Sequence, residues 1–324
     1  MISRRPLLGA AALGALAGPR SVLAQQYPAK PVRLIVPAST GTQIDTVARV
    51  VGEALSKRLN TPVLVDDRAG AGGAIGTAVV AKSPADGYTL LVTGIPLFLT
   101  KWTSDQPVGY EPLTDFTPIA MLCSSPSGLV VGADSPYKTV ADLVRAMKAK
   151  PGEITFSSGG AGGTSHLHMV TFCEATQTTV KHIPYKGNGP ATTDVASGVV
   201  DFTFQGPAGI MGLVGAGKLR ALLVTNRTRW DVLPNVPAAQ EVGIAGLDFV
   251  SGWIGVVAPA RTPQPVVQRL SDEFMRIVRS QEFKDFCTAQ QMFVEGADHK
   301  QLVADFPKFE EQFKRLGTLA RQKG

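Results

Sequence analysis

Short apolar runs of strand length alternate with helix-like runs along most of this chain, and that alternation leaves few architectures open. Residues 32–36, 45–59, 63–65, 74–81 and 89–92 set the rhythm. It resumes over 140–149, 154–156, 165–175, 180–183, 191–197, 200–204, 210–215 and 221–224. Strand–helix alternation predicts an α/β fold, with mostly parallel sheets flanked by helices. From Pro263 onward the chain reads helical, over 266–280, 281–287 and 300–321. Two further strand-like runs, 128–132 and 253–258, fall where the rhythm is interrupted, and are read as strands crossing between two lobes. Lobe 1 is then expected from residues 25–130 plus 251–324, and lobe 2 from residues 131–250.

Two loops in these lobes are built alike. One reads Pro37-Ala38-Ser39-Thr40-Gly41-Thr42-Gln43-Ile44-Asp45; the other, about 120 residues later, reads Ser157-Ser158-Gly159-Gly160-Ala161-Gly162-Gly163-Thr164-Ser165-His166. Each follows a strand-like run and opens a helix-like run. Small residues let backbone N–H groups crowd around a ligand, and a helix N-terminus favours negative charge. A pair of such loops predicts two lobes gripping one anion.

Residues 1–24 read as an export signal: Ser3-Arg4-Arg5, then a 13-residue apolar stretch from Pro6 to Gly18, then Val22-Leu23-Ala24 before Gln25. The stretch is too short to span a bilayer. The paired arginines and Arg20 fit a twin-arginine signal, with an ordinary secretory signal as the alternative. Cleavage near Ala24 places the mature protein in the periplasm. It also removes three arginines and no acid from a chain of 32 basic and 26 acidic residues, so the net charge falls from +6 to +3. No basic cluster is interleaved with aromatics, which argues against nucleic acid. Cys123, Cys173 and Cys287 have no metal-like spacing, and neither HExxH nor CxxC occurs. No metal and no cofactor is expected. The cysteines are expected as small core residues, with one disulfide as the alternative.

Other motifs invite rejection. Gly70-Ala71-Gly72-Gly73-Ala74-Ile75-Gly76 misses the dinucleotide spacing by one residue and is better read as a tight turn opening a helix. Gly212 to Leu219 has the GxxxxGK shape, but Leu219 replaces the magnesium-binding hydroxyl and the motif ends a helix. Ser165, His166 and Asp194 suggest a hydrolytic set. Neighbouring helical residues point about 100° apart, however, and no G-x-S-x-G elbow exists.

The chain resembles the periplasmic solute receptors of tripartite tricarboxylate transporters, the Bug family. The resemblance rests on Tyr27-Pro28-Ala29-Lys30-Pro31-Val32-Arg33-Leu34-Ile35-Val36-Pro37, Arg68 to Gly76, Pro84-Ala85-Asp86-Gly87-Tyr88-Thr89-Leu90-Leu91, His182-Ile183-Pro184-Tyr185-Lys186-Gly187, Ala216 to Ala221, and Leu233-Pro234-Asn235-Val236-Pro237. It implies a two-lobed, type II-like periplasmic binding protein that is not an enzyme. Such a protein captures a small carboxylate with backbone N–H groups, hydroxyls and water, and presents it as a monomer to membrane permease subunits. A sensor kinase is the alternative partner, and a periplasmic hydrolase the alternative from another class. The binding set expected on these grounds is Ala38, Ser39, Thr40, Gly41, Thr42 and Asp45 on the first loop, Ser158, Gly160, Ala161, Thr164 and Ser165 on the second, with Gln205. Asp45 reads either as a first-turn acid or as a direct ligand contact. Ser39-Thr40 departs from the family's usual first loop. Gln205 stands where an acid is common, which disfavours an amino-acid ligand. Phe98, Trp102 and Trp253 are expected either beside the cleft or in the core, and Lys186 at its rim.

Overall fold

The computed structural model describes residues 27–104, 106–160, 163–250 and 252–323, so the expected export signal lies outside the described residues. The chain opens with β1 (Val32–Val36), α1 (Gln43–Leu59), β2 (Val63–Asp67), α2 (Ala74–Ala81) and β3 (Thr89–Gly94). It continues through α3 (Pro96–Thr103), α4 (Pro112–Asp115), β4 (Phe116–Ser125), β5 (Gly128–Gly132) and α5 (Val140–Ala149). Next come β6 (Thr155–Ser158), α6 (Thr164–Thr176), β7 (Lys181–Pro184), α7 (Asn188–Ala196), β8 (Phe202–Gln205), α8 (Pro207–Gly215) and β9 (Leu219–Val224). The last part holds α9 (Leu247–Val250), β10 (Gly252–Pro259), α10 (Gln264–Arg279), α11 (Gln281–Ala289), β11 (Phe293–Asp298) and α12 (His299–Lys323).

These strands form two sheets, ordered β11-β4-β10-β3-β1-β2 and β7-β6-β8-β5-β9. The orders share one plan. In each, the first strand of a strand–helix–strand unit lies between the second and third, and a crossover strand (β10 or β5) is inserted before the fourth. Pairing is parallel for β1 with β2 and β3, and for β6 with β7 and β8. The crossover strands pair antiparallel on both sides. The sheets are therefore mixed in pairing, although β1 to β4 point one way, as do β6 to β9. A strand arriving from the other lobe must enter from the opposite end, which is why the insertion runs antiparallel.

Three elements lie outside the sequence-based rhythm. In α3 four consecutive residues, Leu97, Phe98, Leu99 and Thr100, are buried, so the helix shows no one-sided apolar stripe. The β4 strand is buried on both faces over much of its length, so its sequence does not alternate. An edge strand, β11, interrupts the helical C-terminal stretch and pairs with β4 across a bulge between Val294 and Ala297. The C-terminal helix α12 packs on α3 and β4 of the first sheet's lobe and on α6 of the second's. Phe98 anchors it, packed edge-on against Phe306 at 5.1 Å and stacked with Phe313 at 6.1 Å. Phe98 and Trp253 are thus core, and Trp102 lies against α12 where an added Cβ on Gly317 would come within 2.5 Å of it. The three cysteines are buried, and none forms a disulfide among the described residues.

Candidate functional site

Only Pro126 and Ser127 separate β4 from β5. A link this short forces the end of β4 to lie beside the start of β5, which is the end where β6 and β8 terminate. The carboxyl edges of the two sheets therefore face one another across the crossovers. The second crossover is tied to the first: the Ser127 N–H donates to Thr225 Oγ1 at 2.9 Å, and the Thr225 N–H donates to the Ser127 carbonyl at 2.9 Å. Both loops singled out in the sequence leave these facing edges, one from β1 and one from β6.

The first loop is braced by charge. Asp45, only 2 % exposed, sits in the first turn of α1. Its Oδ2 accepts from the Gly41 N–H at 2.7 Å and its Oδ1 pairs with Arg49 Nε at 2.8 Å. Burial pushes this carboxyl up, but the Gly41 and Arg49 contacts outweigh burial and hold it below the ordinary carboxylate range. Arg49 reaches on to Asp67 at 2.9 Å, and Asp67 accepts from Thr40 Oγ1 at 2.6 Å. The Thr42 hydroxyl turns back to the Ser39 carbonyl at 2.8 Å. Ser39, Thr40, Gly41 and Thr42 are exposed, and Ala38 is half-buried against the apolar core. Gly41 adopts φ of +82°, the left-handed region that favours glycine. Of the two readings of Asp45, the first-turn acid describes its contacts.

The glycine-rich turn before α2 supports this loop from behind. A Cβ on Gly76 would lie 2.7 Å from the Arg68 carbonyl and 2.9 Å from Pro37 Cα. The motif that mimics a dinucleotide fingerprint thus lets α2 press against the end of β1.

The second loop is braced by neutral groups. Ser158 is fully buried, and its Oγ lies 2.7 Å from His182 Nε2 and 3.1 Å from the Gly160 carbonyl, and accepts from the Gly160 N–H at 3.2 Å. His182 stacks on His166 with centroids 4.3 Å apart, and burial lowers its pKa. A Cβ on Gly159 would meet Asn188 Oδ1 at 2.1 Å, so only glycine lets the loop lie against the start of α7. Ala161 lies outside the described residues. Thr164 is exposed at the first position of α6, and Ser165 follows it at 7 % exposure. Ser165 Oγ has no hydrogen-bond partner among the described residues. No acidic residue occupies the first turn of α6, unlike that of α1.

The structure thus brings the loop residues to facing edges but gives their hydroxyls different states: Thr40, Thr42 and Ser158 are engaged internally, while Ser165 is not. Gln205 ends β8 at 2 % exposure, its amide bonded to Thr203 Oγ1 at 3.3 Å. Sequence reasoning missed the Arg49–Asp67 pair and the brace of Ser158 by His182, residues 24 positions apart. It also missed Thr93, whose hydroxyl near the end of β3 is buried without a partner among the described residues. Asp194 accepts a short hydrogen bond from the Tyr185 hydroxyl, so it is not arrayed with Ser165 and His166. Lys186 is exposed. The GxxxxGK look-alike closes α8 through Gly217 at φ of +66° and leads into β9.

Two α/β lobes, joined by paired crossovers and each presenting a loop of small residues to the other, are the architecture of a solute-binding receptor. Residues 47–324 match the tripartite tricarboxylate transporter family receptors, TctC, and the chain belongs to that family. BugT of Bordetella pertussis is 35 % identical over 271 residues, 83 % of this chain and 82 % of that protein. A TctC solute-binding protein from Polaromonas superimposes with a TM-score of 0.79 at 28 % identity, covering 90 % of this chain and 98 % of the other. R. palustris Rpa4515, solved with adipate, gives a TM-score of 0.72 at 29 % identity, covering 91 % and 98 %. The family is one of periplasmic solute-binding proteins rather than enzymes.

Proposed function

We propose that this receptor captures a small carboxylate lacking an amino group, and that the anion seats on the second loop, at the N-terminus of α6. The observation that carries this reading is Ser165: a hydroxyl 93 % buried in the first turn of a 13-residue helix, with no partner among the described residues. A carboxylate there accepts from that hydroxyl and from the N–H groups of a helix end that no side-chain acid neutralises. The first loop closes over it from the opposite lobe, excluding water and strengthening each N–H···O⁻ contact. Rpa4515 with adipate supports the ligand class. Gln205 supports the exclusion of amino acids, since a neutral amide offers no counter-charge to an ammonium group. On this reading residues 25–130 with 251–324 form one lobe and 131–250 the other. The mature monomer, cleaved near Ala24, delivers its ligand to permease subunits of a tripartite transporter.

A thermal-shift screen of the mature protein against mono-, di- and tricarboxylates and amino acids tests this. A ligand at 100 times its Kd adds about 2.7 kcal/mol of stability. Carboxylate hits without amino-acid hits are expected, with Gln205→Glu admitting amino acids. Amino-acid hits in the native protein, or no effect of Gln205→Glu on them, would overturn the ligand class.

A further inference from the structure

A cavity of about 560 Å³ opens on the flank of the crossovers, and no residue of either loop lines it. In the first sheet β4 and β11 lie on one side of β10, while β3, β1 and β2 lie on the other; in the second sheet β9 alone lies beyond β5. The loops belong to β1 and β6. The cavity belongs to β4, β11, the chain following β9, and α12. Its volume falls within the ~300–1,000 Å³ of small-molecule sites.

We infer that this rear cavity is a second binding site, for a small organic ammonium ion. Three aromatic side chains line it, Phe293 half-buried at its wall and the buried pair Trp253 and Phe309 at its floor. Trp253 and Phe309 stack at 5.7 Å with planes 22° apart. Aromatic faces carry negative potential and attract ammonium groups.

The charges around it carry the same sign of preference. Arg227 is paired with Asp248 at 2.7 Å and Lys308 with Asp305 at 2.8 Å, so both cations in the lining are already matched. Glu295 is left over. It accepts a short hydrogen bond from the Ser124 hydroxyl and has no ion pair of its own among the described residues, though its charge, with those of Asp248 and Asp305, is felt by Arg227. The bulge in β11 places it there: the register breaks between Val294 and Ala297, and Gly296 takes φ of +71°. Bulges re-aim side chains in this way. One surplus carboxylate beside three aromatic rings suits an organic cation and repels the carboxylate that the front site takes.

The cavity is also placed to sense closure. Ser124 stands just before the first crossover, Arg227 just after the Thr225 tie, and Trp253 just after the return to the first lobe. Rotation of the lobes about these segments must reshape the walls, so an occupant that prefers one state shifts front-site affinity, and reciprocally.

Titration of the mature protein with phenethylammonium and tetramethylammonium chlorides, with sodium chloride as control, tests the site. A saturable thermal shift is expected, weakened at least tenfold in Glu295→Gln, whose amide still accepts from Ser124. Phe293→Leu weakens it too, and serves if the first variant folds poorly. Ser165→Ala should lose carboxylate binding and keep ammonium binding, which separates this site from the front one. No saturable shift, or an equal shift in Glu295→Gln, overturns the inference.

Discussion

The two anion loops look interchangeable as strings of small residues, yet the protein supports them by opposite means. The first is exposed and wired to its surroundings through Asp45, Arg49, Asp67 and Thr40. The second, buried at Ser158 and Ser165 but exposed at Gly163 and Thr164, is held by neutral partners, with Ser158 on His182 and His182 on His166. The consequence lies at the helix ends. Asp45 already supplies the negative charge that the N-terminus of α1 favours, whereas the N-terminus of α6 has no acid in its first turn and keeps an unpartnered hydroxyl at Ser165. A loop that brings its own anion is a poor seat for another. The first loop therefore reads as the rigid lip of the cleft, and the second as the seat.

The largest expected effect is a separation of the two lobes by acid. His168 is fully buried in α6, stacked on Phe204 at 5.3 Å, and desolvation lowers its pKa from 6.5 to about 3. Burial lowers His182 as well. A base with a depressed folded pKa binds fewer protons folded than unfolded, so stability falls as pH drops below 6.5 and the loss is complete near the folded pKa. For His168 that amounts to roughly 5 kcal/mol at most. The Asp45 carboxyl is also depressed, so its contribution is present above the ordinary value of 3.8 and is lost only below it. Hydrogen exchange across a pH series should show the second lobe loosening from pH 6.5 downward, with the first loop following only below about pH 4. Simultaneous loosening of both loops would break the contrast.

Gly76→Ala comes next. Its Cβ would press on the Arg68 carbonyl and Pro37 Cα, main-chain atoms that cannot rotate away. A loss of about 1–3 kcal/mol is expected in denaturant unfolding, with weaker ligand binding because the lip shifts. An unchanged midpoint would show that α2 does not brace the first loop. The smallest effect belongs to Arg49→Gln. Its side chain is half exposed, so the ion pairs stabilise by about 1 kcal/mol or less, and added salt should erase most of the difference. A salt-independent loss of several kcal/mol would mean that the network carries more of the lobe than its exposure allows.

Much of this was legible in the sequence, and the exceptions have physical causes. The bounds of β1, β5, α2 and α5 follow from apolar runs flanked by turn residues, and both crossovers from their interruption of the rhythm. The α3 helix and the β4 strand escaped because elements buried on several sides lose their periodicity. The β11 strand escaped because an edge strand with a bulge has little pattern left. The loops were legible because glycine and hydroxyl residues cluster before helices. Which hydroxyls are engaged was not, since Thr40 meets Asp67 and Ser158 meets His182 only through the sheet pairings that bring β1 to β2 and β6 to β7.

The measurement that bears most directly on the seat-and-lip account is calorimetric titration of three mature proteins with the carboxylate giving the largest thermal shift. The proteins are the native chain, Ser165→Ala, and Thr40→Val with Thr42→Val. Loss of one hydrogen bond to a charged ligand is worth about 1.5–3 kcal/mol, so Ser165→Ala should bind at least tenfold more weakly, and the first-loop double variant within about threefold of native. The reverse order, with Ser165→Ala unchanged and the double variant unable to bind, would contradict the account and move the seat to the first loop.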